Sequence, residues 1–244
     1  MASKAKAGAS TKAPASLHPA PRAVAAEGVP RAGKVRPNPA PAPSREDPSA
    51  KPLAKHANAG RTFFQLARMN PGQLEEVFAH GVTPHFEELI GWEFRGFNPP
   101  IFARILGFQK FKKGFFADAG QTVDGPFLSG YNVWVRQNGL DDPHLATPSE
   151  DRPKRHGFYL VGRVDPAGRE NKHPHALLLD YGKGRNARLN PERVIRDYLV
   201  RVDPDNPDLF LGKAYMALGP LRVSSNFFVL DRYNESNFDP STLR

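Results

Sequence analysis

The chain has 244 residues, 39% hydrophobic and 24% charged, with 25 prolines and no cysteine. That composition excludes a collagen-like repeat and a disulfide-stapled miniprotein, and the sequence has no apolar run of membrane-spanning length. The missing cysteine also removes thiol catalysis, cysteine-ligated zinc and iron–sulfur clusters. The net charge of +9 is unevenly spread: residues 1–60 carry +7, whereas residues 61–244 hold 24 basic against 22 acidic side chains.

Residues 1–60 contain 10 of the prolines and 17 alanines but none of the 25 aromatic residues, the first of which is Phe63. Such a segment buries too little surface to offset chain entropy, so a disordered Ala/Pro/Lys-rich tail is predicted over 1–60, followed by a single β-rich domain over 61–244. The basic excess sits in the tail, which suits an acidic partner. Specific nucleic-acid binding by the nearly neutral domain is not expected. Polar residues and prolines interrupt the N-terminus throughout, so no signal-peptide core is read and the expected location is cytoplasmic.

Asn70-Pro71 followed by Gln73, Glu75 and Glu76 has a capping residue, proline at the first helical position and early acids, which together predict a helix that Gly81 ends. Second and third short helices are predicted from Thr83 to Gly91 and from Pro99 to Leu106. Each is too short to stand alone and needs a docking surface. Eight strands supply it: Trp92–Phe97, Gln109–Phe116, Tyr131–Gln137, Gly157–Val164, Ala176–Tyr181, Asp197–Val202, Leu209–Leu218 and Ser225–Tyr233. Segments rich in Gly, Pro, Asn and Asp separate them. The expected fold class is mainly β with minor α: an antiparallel barrel, or a strongly curved sheet packed on two or three short helices.

Gly91-Trp92-Glu93-Phe94-Arg95-Gly96 resembles the Gly-x-Trp start of lipocalin-like barrels and the Gly-x-Trp-x-Gly segment of a family of uncharacterised bacterial domains, although Trp92 directly follows Gly91. Ser225 to Arg232 is similar to the final strand of such domains. The resemblance implies a lipocalin-like barrel in which Trp92 of the first strand packs against Arg232 of the last.

Lys110, Lys112 and Lys113 alternate with Phe108, Phe111, Phe115 and Phe116. Basic residues among aromatics suit a single-stranded nucleic acid, but a half-buried strand with its lysines in water accounts for them more simply. His173-Pro174-His175 and Asp141-Asp142-Pro143-His144 fall in loops and are read as loop residues, not metal ligands. Asp203, Asp205, Asn206 and Asp208 lack the central glycine and the terminal glutamate of a calcium loop and read as a turn. No nucleophile elbow, phosphate loop or dinucleotide fingerprint occurs, so neither an enzyme class nor a cofactor is assigned.

Isolated charges on apolar strand faces are either paired inside or line a pocket. Strand parity places Lys213 with Leu209, Leu211 and Tyr215, Asp180 with Leu178, and Arg232 with Phe228 and Leu230. The expected function is therefore a non-enzymatic binding module for an apolar or amphipathic small molecule. Its anchors are Asp180, Lys213 and Arg232, and its walls Trp92, Trp134, Tyr159, Tyr215 and Phe228. A protein-interaction or scaffold domain tethered by the basic tail is the alternative.

Overall fold

The computed structural model describes residues 56–99 and 107–243. Strands with apolar side chains on both faces need cover on both sides, and the chain supplies it by closing the sheet on itself and packing helices outside. Eight antiparallel strands form a closed barrel in chain order: β1 Trp92–Phe97, β2 Lys110–Phe116, β3 Phe127–Trp134, β4 Arg155–Arg163, β5 Leu177–Asp180, β6 Ile195–Asp203, β7 Asn206–Leu218 and β8 Leu221–Glu235. β8 closes on β1 with Gly96 opposite Leu230. The barrel has no unpaired edge. Among the described residues no helix is long and apolar enough to cross a membrane.

The inner face carries Phe94, Phe111, Phe115, Leu128, Tyr159, Leu179, Leu199, Phe210, Phe228 and Leu230, which form one buried cluster. Outside, α1 (Phe63–Ala67) and α2 (Pro71–Ala79) bury Phe63, Leu66, Leu74, Val77 and Phe78 against Val200, Leu209, Leu211, Phe227 and Val229. Helix α2 starts as its sequence requires: Asn70 Oδ1 accepts from the Gln73 amide, and the Asn70 amide donates to Gln73 Oε1, each at 3.0 Å. The same reciprocal cap, Thr62 with Gln65, starts α1, which the sequence reading did not anticipate. A third cluster, Phe116, Tyr131 and Val133, is covered by Phe238 and Leu243 near the C-terminus.

Three expectations change. The helix expected from Thr83 to Gly91 is a single 3-10 turn, Phe86–Glu88, and the one expected from Pro99 to Leu106 lies almost entirely outside the described residues. The folded unit includes the last five residues assigned to the tail. Buried Asn58 donates to the carbonyls of Val77 (2.9 Å) and Val202 (3.0 Å), tying the start of the domain to α2 and β6; the rest of the tail, residues 1–55, lies outside the described residues. The lysines of β2 do not face water: Lys110, Lys112 and Lys113 are all buried. Loop 138–150 covers the outer side of β2, where Lys110 Nζ donates to the carbonyls of Gly139 and Asp142 and Lys112 pairs with Glu150 at 2.9 Å. Lys113 points the other way, into the barrel.

Candidate functional site

The two barrel ends differ. At the end where β8 finishes and β1 begins, Phe86 and Leu89 pack beneath Phe94 and Leu230. There Arg232 spans the opening: its guanidinium lies 4.5 Å over the Trp92 ring and donates to the carbonyls of Glu88 (2.8 Å) and Pro207 (3.2 Å). This end is closed.

At the other end the described residues do not fill the interior. A cavity of about 310 Å³ lies among residues of six strands, β2, β3, β4, β6, β7 and β8, and residues just beyond β1 and β5 (Asn98 and Tyr181), and it reaches the surface beside Met216, which is 40% exposed. Phe108, Phe111, Trp134, Ile195, Ala214, Met216 and Phe228 give it apolar walls. Gly212 sets one of them: a Cβ there would lie 2.0 Å from Phe228 Cζ, so only glycine lets the Phe228 ring lie flat across β7.

The polar groups concentrate on β2 to β6. Lys113 Nζ donates to Asn132 Oδ1 (3.0 Å), Tyr181 Oη (2.5 Å) and Asp197 Oδ2 (3.0 Å), which accounts for all three of its protons. Burial draws the Lys113 pKa below its ordinary value, against the attraction of Asp197. Burial, reinforced by Asp197, raises the Tyr181 phenol well above its ordinary range, so it stays protonated and donates to Asp197 Oδ2 at 3.1 Å. Beside this cluster His156 Nδ1 lies 2.6 Å from Glu192 Oε1, and the imidazole stacks on Trp134 with centroids 4.3 Å apart and planes 13° apart. Burial works against ionisation of Glu192, but the His156 hydrogen bond and charge, with help from Asn190 and Lys113, hold its carboxyl below the ordinary range. Glu192 is thus the acceptor and Nδ1 the donor. His156 Nε2 bonds to no described residue and is not among the buried polar atoms that lack a partner.

Gly157 makes this juxtaposition possible. Its φ of +55° lies in the left-handed region, and a Cβ would meet Asn132 Nδ2 at 2.7 Å and Glu192 Oε1 at 2.9 Å. The remaining amides satisfy one another: Asn226 donates to Asn98 Oδ1 at 3.1 Å and accepts from Ser225 Oγ at 2.8 Å.

No protein-family model matches the chain, and no curated protein does. The geometry alone therefore carries the functional reading.

Of the eight residues picked from the sequence, Trp134 and Phe228 line the cavity. Tyr159 is inside the barrel but packed under Lys113, whose Nζ lies 4.7 Å from its ring centroid. Trp92 and Arg232 meet as expected, at the closed end, with Trp92 only half-buried. The other three are on the outer face. Lys213 pairs with Glu75 at 2.7 Å, Tyr215 bonds His173 at 2.8 Å, and Asp180 forms an ion pair with Arg196 at 3.1 Å. Lys213 and Asp180 are thus held in ion pairs on the outer face, away from the cavity, because α2 and the 164–176 segment cover the barrel's outside and make that face apolar too. Sequence reasoning passed over Asn132, His156, Tyr181, Glu192 and Asp197. Lys113 had a legible signal, its place between Phe111 and Phe115 at inward parity. Glu192 had none, since it lies in a 3-10 turn, Pro191–Val194, outside any strand.

Among the described residues no three acidic or imidazole groups converge. His173 and His175 instead bond Tyr215 and the Phe78 carbonyl.

Proposed function

We propose that this domain is a small-molecule-binding barrel that holds an apolar or amphipathic ligand in its open end. The observation that carries the reading is the cavity of about 310 Å³, apolar on most of its wall with polar groups gathered on the rest, in a barrel whose opposite end is plugged. Its volume suits a ligand of roughly ten to twenty heavy atoms. The sequential eight-stranded order and the Arg232–Trp92 stack support the resemblance to lipocalin-like barrels, as a likeness of fold.

The test is titration with a neutral apolar fluorophore such as N-phenyl-1-naphthylamine. Saturable binding, lost in Ala214→Phe with the far-ultraviolet spectrum unchanged, is the expected result. Absence of binding to the wild type, or equal binding to the filled variant, overturns the reading.

A protein-interaction role is favoured by one feature. Met216, Leu218, Leu221 and Val223, between 40% and 63% exposed, share one side of the β7–β8 hairpin, as the pairings Met216↔Val223 and Leu218↔Leu221 require. If that face binds a protein, Leu218→Ser with Leu221→Ser abolishes the association and leaves fluorophore binding intact.

A further inference from the structure

The cavity's charge balance says which head group it takes. Its ionisable lining groups are Lys113, Asp197, Tyr181, His156 and Glu192. Lys113 is cancelled by Asp197, with every ammonium proton already placed on a protein acceptor. Glu192 is ionised and held by His156. The lining therefore carries one net negative charge when His156 is neutral and none when it is protonated. With His156 neutral the lining repels an anion, and no ammonium proton is free to receive a carboxylate; a protonated His156 would offer one an Nε2–H, which the benzoate probe below detects.

What remains is an acceptor. With Nδ1 committed as donor to Glu192, neutral His156 presents a lone pair at Nε2 that no described residue uses. Trp134 on one face of the ring and Glu192 at Nδ1 fix its orientation. The other polar groups of the lining bond one another: Asn98 with Asn226, Ser225 with Asn226, Asn132 with Lys113 and Tyr181.

We propose that the ligand is a neutral apolar molecule carrying one hydroxyl, and that His156 Nε2 accepts its proton in a hydrogen bond while Phe108, Phe111, Met216 and Phe228 enclose its hydrocarbon part. The proposal rests on the cavity reading above and adds the chemistry of the head group. It gives His156 a binding role that Glu192 supports as a positioning residue.

The experiment compares four probes of one size by isothermal titration calorimetry at pH 8: 4-propylphenol, its methyl ether, 4-propylbenzoate and 4-propylbenzylamine. The phenol is expected to bind about five- to tenfold tighter than the ether, the worth of one net hydrogen bond, and tighter than either charged probe. In His156→Phe, which keeps a ring on Trp134, phenol and ether become equal. Because that variant strands the Glu192 carboxylate, the double variant His156→Phe/Glu192→Leu is measured beside it. Equal binding of phenol and ether to the wild type overturns the head-group assignment and leaves the cavity reading standing, as does tighter binding of the carboxylate or the amine. A phenol preference that survives in the double variant overturns it too. If no probe binds, the cavity reading fails and this inference with it.

Discussion

The Arg232 guanidinium lies 4.5 Å over the Trp92 ring, joining the last strand to the first at the end of the barrel where the chain enters it. The same side chain donates to the carbonyls of Glu88 and Pro207 and pairs with the Asp208 carboxylate, so it satisfies a backbone group in the plug turn and another at the start of β7. Its position explains why this end is sealed. The guanidinium supplies donors where the sheet has none left and covers an indole that is otherwise half in water.

Arg232→Met is therefore expected to destabilise the domain by about 1–3 kcal/mol, the sum of a cation–π contact and hydrogen bonds to otherwise unpaired carbonyls. Urea denaturation measures it. Fluorophore binding should be unchanged, because the cavity lies at the other end; a loss of binding with stability intact would place the ligand at Trp92 instead.

Lys213→Met tests the outward placement of that lysine. Its partner Glu75 is half in solvent, with the carboxylate side chain 52% exposed, while the lysine Nζ lies 5.4 Å from the Phe227 ring centroid. Removing the charge leaves an exposed carboxylate that water satisfies, and methionine keeps the packing. The unfolding free energy should change by less than about 1 kcal/mol and probe affinity not at all.

Much of the barrel is legible in the sequence because a strand's period of two survives in short segments bounded by turn residues. All eight strands lie within a few residues of their expected places, and β1 coincides with its expectation. Which face is inward is harder to read. On β7, Leu209, Leu211 and Tyr215 look like a core face, and they are one, but the core lies between the barrel and α1 and α2. The inward residues are Phe210, Gly212 and Ala214, where two small side chains make room for Phe228 and the cavity. Small residues at inward positions mark a site that side-chain volume alone makes look unimportant. His156 and Glu192 are 36 positions apart and meet only because Gly157 bends the start of β4, information carried by one φ angle.

Lys113→Met separates the buried cation from its carboxylate. The single variant leaves Asp197 inside the barrel with Tyr181 as its remaining donor, and the expected cost is about 3–5 kcal/mol, read as a lowered denaturation midpoint. Lys113→Met/Asp197→Leu removes both charges and should recover most of that loss. If the double variant is as unstable as the single, packing around Lys113 and not charge pairing governs this part of the interior.

The last prediction concerns acid. His144 is buried, donates from Nε2 to the Gly96 carbonyl at 3.1 Å, and has no partner for Nδ1 among the described residues. Burial first, then the nearby charges of Lys110, Arg95 and Lys112, push its pKa from 6.5 down to about 3. Between those two values the unfolded chain holds a proton that the folded chain does not, so stability is full above pH 6.5 and falls as the pH is lowered through that window. At about 1.4 kcal/mol per pH unit, the loss reaches about 2 kcal/mol by pH 5. His173, pushed down to about 4 by burial and by Lys213, adds a smaller loss of the same sign because it is partly solvated. The depressed carboxyls of Glu150, Glu170 and Glu192 act in the same direction but only below the ordinary carboxylate range. His144→Gln keeps an N–H for the Gly96 carbonyl and removes the titration. Urea midpoints measured from pH 7.5 to 5 should therefore fall less steeply in the variant, and a wild-type midpoint that is flat over that range would mean that His144 is protonated in the folded state.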